Sequence, residues 1–181
     1  MSEDFVAVVR LDSADAKSEA YRVLNLLRSA GIVAANTTRD ELHSPSEWAV
    51  GPRAMEALED PAGPTDWLSF SNNGVDLESG WAAYFAMENE ERSACPACGV
   101  VLSEENYADL INSWGESQVE PQAVCGSCGS SALLGDWSNE WPSVFGFPAV
   151  TFNNWPPLAP AFIERLQREL GGRTIVARAH Y

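Results

Sequence analysis

Phe5-Val6-Ala7-Val8-Val9-Arg10-Leu11 is an apolar, β-branched run whose reading decides how the chain folds. Phe5, Ala7, Val9 and Leu11 recur at period two and share one face of a strand. Asp12 or Ser13 can cap the helix that follows. Its Ala16, Ala20, Val23, Leu24 and Leu27 keep helical spacing to about Ala30, before Gly31 ends it. Residues 32–36 read as a second strand. The far end repeats the plan: a strand over 149–153, a Pro-rich entry at 154–157, a helix over 160–170 and a strand over 174–179. Phe162, Ile163, Leu166 and Leu170 give that helix one apolar face. Two βαβ units predict an α+β, ferredoxin-like frame with its helices on one face of the sheet. A three-layer α/β arrangement also accommodates two such units.

Charge separates this frame from what lies between its halves. Residues 54–163 carry sixteen acids and one base, Arg92, whereas the remainder has ten of each; the net charge is -15. The expected organisation is therefore a frame of residues 1–53 and 148–181 around an acidic insert, 54–147, with the loop at 60–64 near the junction. A composition 45% hydrophobic and 20% charged excludes disorder, and no apolar run reaches the roughly 18 residues that a membrane span needs. The acidic start, Met1-Ser2-Glu3-Asp4, has none of the basic character of a secretion signal, so the expectation is a cytoplasmic protein.

Inside the insert, residues 67–71 and 75–78 flank Asn72-Asn73-Gly74 and read as a hairpin. Residues 81–87 read as a strand. Ser103 caps a helix that extends to about Trp114. The main chemical signal is the pair Cys95-Pro96-Ala97-Cys98-Gly99 and Cys125-Gly126-Ser127-Cys128-Gly129. Each C-x2-C presents two thiolates from one tight turn, and the Gly that follows takes the positive φ such a turn requires. A reducing compartment favours a metal over two disulfides. The expected cofactor is one structural Zn2+ per chain on Cys95, Cys98, Cys125 and Cys128, with no open position for a substrate.

These CPxCG and CxxCG knuckles resemble the zinc-ribbon class. The aromatic tract after them, Trp137 to Trp155, is similar to that of uncharacterised bacterial proteins with a ribbon inside an α/β frame. The resemblance covers the carboxyl-terminal half and implies zinc binding without an activity.

Function then follows from charge. Residues 93–164 contain no Lys or Arg, so the ribbon lacks the cations that neutralise phosphates, and direct nucleic-acid binding is not expected. A basic patch of Arg22, Arg28, Arg165 and Arg168 on the frame helices is the remaining route to it. The expected activity is non-enzymatic protein binding, of the immunity or antidote kind, to a basic partner. Glu104, Glu105, Asp109 and Glu116 would steer that partner and Trp114 would anchor it. The competing expectation is an enzyme using a cleft between frame and ribbon, with Arg39 or Arg53 on an anionic substrate and Asp66 or Asp136 as acid or base. An oligomeric adaptor is a third. His43 and His180 lie outside any catalytic pattern. The six aromatics of the tract are expected to pack frame against insert.

Overall fold

A computed structural model describes residues 4–38, 45–86, 90–137 and 139–180. The frame begins with β1 (Asp4–Arg10), α1 (Ala16–Ser29), β2 (Val33–Ala35), β3 (Trp48–Val50) and β4 (Gly74–Glu78). The middle holds β5 (Ala82–Tyr84), α2 (Glu104–Ser117), β6 (Gln122–Val124), β7 (Ser131–Leu133) and β8 (Val144–Gly146). The chain then closes with β9 (Ala149–Asn153), α3 (Pro160–Leu170) and β10 (Thr174–His180). Six strands form one sheet in the order β10-β1-β9-β4-β3-β2, and every neighbouring pair is antiparallel. Two small antiparallel sheets, β5-β8 and β6-β7, complete a mixed α+β architecture.

Both expected βαβ units exist, each split by strands lying between its own two. The antiparallel pairings make β9 and β10 point the same way with β1 between them. They also make β1 and β2 point the same way, with β9, β4 and β3 between. The place beside β9 belongs to β4 rather than to β2. This corrects two expectations at once. Residues 67–78 are not a hairpin, since Asp66–Ser69 is a 3-10 turn and β4 pairs with β3 and β9. One long-range contact and two local ones hold the segment otherwise: the Trp67 ring lies 4.9 Å from that of Trp155, while its indole N–H donates to Pro64 O and the Asn73 amide donates to Trp67 O. Gly74 sits so close to β3 that a Cβ would meet Trp48 O at 2.2 Å, which excludes any side chain. The boundary at residue 54 also moves. Ala54, Ala57, Leu58 and Val75 belong to the core beneath α1 and α3, so residues 54–78 pack with the frame.

Both faces of this sheet are buried, each for a different layer. Val8, Val150 and Phe152 face α1 and α3, whose Val23, Leu27, Leu166 and Leu170 complete one core. Asp15, rather than Asp12 or Ser13, caps α1 by accepting from Ser18 N. Asp12 instead accepts from Arg10 Nε and Arg173 N. On the other face Ala7 and Val9, as the period-two reading required, join Ala149 and Ala177 against the middle segment. Ala7 stands in register with Ala177 on one side and Thr151 on the other. That strip of small side chains leaves room for Tyr84, Trp137 and Phe145 in the same cluster. The aromatic tract therefore divides: Trp137 and Phe145 pack on this face, whereas Phe152 and Trp155 belong to the helix side. The structure has three layers, but the third is the cysteine-bearing segment and not a second row of helices.

One arginine ties the third layer to the sheet. Arg173, between α3 and β10, pairs with both oxygens of Glu120 and reaches Asp136 Oδ1 at 2.6 Å. Glu120 is almost buried, its side chain 8% exposed, and also accepts from Gly135 N. Glu120 holds the guanidinium's acidity well below its ordinary range, since losing that proton would strand the carboxylate. Arg173→Ala should cost about 2 kcal/mol, the worth of hydrogen bonds to a charged group in a partly exposed site. Urea unfolding measures it, and a loss under about 0.5 kcal/mol would show that the layers adhere without this clamp.

Candidate metal centre

The knuckles are two copies of one backbone device. Cys95 N donates to Val100 O and Gly99 N to Cys95 O; Cys125 N donates to Ser130 O and Gly129 N to Cys125 O, all at 2.8–2.9 Å. Gly99 and Gly129 both have φ +74°, a left-handed conformation that closes each loop and that residues with a Cβ rarely adopt. The bridge between Ala94 and Val101 ends the first loop, and β6-β7 ends the second. Val101 is thus the one bridging residue of 100–102.

The four sulfurs lie within 4.8 Å of one another. Cys95 Sγ is 3.8 Å from Cys128 Sγ and Cys98 Sγ is 3.6 Å from Cys125 Sγ. A tetrahedron with metal–sulfur bonds of about 2.3 Å has edges of about 3.8 Å, so the thiols are spaced to ligate one ion. They are too far apart for S–S bonds, which are about 2.05 Å. Cys95 and Cys125 are buried, whereas Cys98 and Cys128 face solvent. All four expected ligands are together, and neither His nor carboxylate joins them among the described residues.

Ser130 is a contributor that the sequence reading missed. Its hydroxyl lies 3.0 Å from Cys95 Sγ and 3.1 Å from Cys128 Sγ, where it donates to a thiolate. That hydroxyl, with the N–H groups of Ala97 and Cys98, brings Cys95 down to about 6. Ser130 also lowers Cys128. For Cys98 the Val100 N–H acts downward, but the crowding thiols of Cys128 and Cys125 prevail and push it up to about 12. Four thiolates at once therefore demand a cation among them. A Ser immediately after C-x-x-C-G was the available signal.

The acidic helix is placed as expected and its anchor is not. Ser103 caps α2 by accepting from Asn106 N, and the helix continues to Ser117. Glu104, Glu105, Asp109 and Glu116 are exposed. Trp114 is 1% exposed and packs on Phe145 with ring centroids 5.9 Å apart, so it is no surface anchor. The helical period explains this: Tyr107, Ile111 and Trp114 fall on one side, with Glu105, Asp109 and Glu116 on the opposite one.

Among the described residues, those named for an enzyme are each placed apart or engaged elsewhere. Arg53 is held by a two-point pair to Glu56, Asp66 is exposed in a 3-10 turn, and Asp136 is engaged by Arg173. Arg39 and His43 lie outside the described residues. His180 meets the Asp4 carboxylate on the sheet's edge. On the frame helices Arg22 lies beside Glu169, Arg168 beside Glu164, and the Arg28 guanidinium stands 5.3 Å from the Trp48 ring centre. No helix among the described residues is long and apolar enough to cross a membrane.

No family model, curated protein or solved structure matches this chain.

Purified under reducing conditions, the protein should carry one metal ion per chain. Cys98→Ser or Cys128→Ser should leave under about a tenth of that content after dialysis against a mild chelator. Acidification should release the ion as the thiolates take up protons. Elemental analysis and a chromogenic metal indicator read both effects. Full metal retention by either variant would remove that cysteine from the ligand set.

Proposed function

We propose that the chain is a zinc-stabilised, non-enzymatic protein-binding protein whose acidic third layer meets a basic partner, of the immunity or antidote kind. Zinc is our reading of the ion because a closed set of four thiolates at tetrahedral spacing is the ligand set of a structural zinc site. The frame we read as a ferredoxin-like plan widened by β3 and β4. The observation that carries the functional reading is the outward face of α2. Glu105, Asp109 and Glu116 stand opposite the helix's buried face, in a stretch, residues 93–164, without a Lys or Arg. Such a surface repels phosphate and attracts a cationic surface.

The apolar component of the contact moves from Trp114 to the ribbon. Val124, 61% exposed, lines a groove of about 230 Å³ with Leu102 and Leu110, and Asp109 stands at its edge. An apolar centre with a polar rim is the usual arrangement of a protein-binding patch, and Asn106 and Asp109 supply polar groups here.

Glu105→Lys with Asp109→Lys should slow association with a captured partner about tenfold at low salt and flatten its salt dependence. Val124→Asp should chiefly hasten dissociation. Stopped-flow kinetics at two ionic strengths, with circular dichroism of each variant, makes the test. Folded charge-reversal variants with unchanged on-rates would leave the acidic face as a solubility device. Trp114→Ala should lower stability by about 3–5 kcal/mol, as a buried aromatic does, instead of weakening binding in a stable fold.

A further inference from the structure

A second concave site lies away from both α2 and the thiols. It is a cleft of about 620 Å³ between α3, the segment before it, the start of β1 and the end of β10, with Trp141 contributed by the segment before β8. That volume is in the range of small-molecule sites, about 300–1,000 Å³. Its walls include Leu158 and Ile163, which offer apolar surface to a hydrocarbon chain.

The polar groups lining it are lopsided. Asp4, Glu59 and Glu164 reach it from three separate stretches of chain, against the single guanidinium of Arg178. Asp4 meets His180, and Glu164 has Arg168 at 3.8 Å in an exposed, weak pair. Two indoles complete the lining. Trp155 is buried, with its N–H on Gly74 O and its ring packed against those of Trp67 and Phe152, so the half-buried Trp141 is the indole open to a ligand.

An accessible indole, carboxylates and an apolar wall together recognise an organic cation. The Trp141 ring and the carboxylates both attract positive charge, and the wall takes up methylenes. An anion would meet three carboxylates and one guanidinium within a molecule of net charge -15. We propose that this cleft binds an alkylammonium ion with a chain of several carbons, as in a di- or polyamine. The site shares no lining residue with the acidic face of α2 and does not rest on the reading of that face.

Isothermal titration of the metal-loaded full chain with spermidine, at about 0.05 and 0.15 M salt, tests it, with N-acetyl-lysine amide and citrate as separate titrants. Saturable one-site binding of spermidine that weakens with salt is expected. Glu59→Gln with Glu164→Gln should weaken it at least about tenfold, as should Trp141→Leu, while Trp141→Phe keeps it within about threefold. Glu105→Lys with Asp109→Lys should leave the affinity within about twofold, since those residues lie outside the cleft. Binding of the lysine derivative as tight as that of spermidine would support the same site with a protein side chain as its natural source. Spermidine binding that survives the cleft substitutions but falls with the α2 reversal would overturn the proposal as diffuse charge attraction. So would citrate binding in place of spermidine, or no binding of either. The two carboxylate sites are exposed, so their amide variants keep the test independent of folding.

Discussion

Four sulfurs within 4.8 Å of one another cannot all ionise alone, and the third layer is built around that constraint. A doubly charged ion at about 2.3 Å from four thiolates gains four attractions, while the thiolates repel each other across six edges of about 3.8 Å. With equal screening the attraction exceeds the repulsion roughly twofold. The cysteines come from residues 95–98 and 125–128, on either side of α2. An ion held by them would close the loop that carries α2, whose Tyr107, Ile111 and Trp114 pack inward. Its acidic face points to solvent as the geometric remainder of that packing.

The sheet supplies the other half of the arrangement. A strand such as β1, apolar on both faces, cannot be covered by α1 and α3 alone, and Ala7, Val9, Ala149 and Ala177 would lie open to water without the third layer. Burying Val9 contributes about 1.5–3 kcal/mol and each alanine methyl about 0.8 kcal/mol, so this cover matters to the frame as well as to the ribbon. Arg173 fixes how the layers meet. It answers two carboxylates of the acidic segment, one nearly buried, from the turn that leads into β10.

Local signals in the sequence were legible and distant ones were not. Period two in residues 5–11, helical spacing in 16–27 and 162–170, and the repeated C-x-x-C-G gave β1, α1, α3 and the ligand set, because each depends on neighbours in sequence. Trp114 was also readable, since its spacing from Tyr107 and Ile111 is that of one helical face. The 67–78 segment misleads because Asn-Gly turn chemistry is local, while the Trp67–Trp155 contact that prevents a hairpin joins residues far apart. The insertion of β3 and β4 into the sheet, the Arg173 clamp and the cleft around Trp141 are likewise made by long-range contacts. No spacing announces them.

Hydrogen exchange followed by mass spectrometry, with the ion bound and after chelation, tests the central claim that the metal holds the third layer on the sheet. The account predicts that peptides from residues 93–137 lose protection on chelation while those of α1 and α3 keep theirs. Unchanged protection over residues 93–137 in the metal-free protein would contradict it.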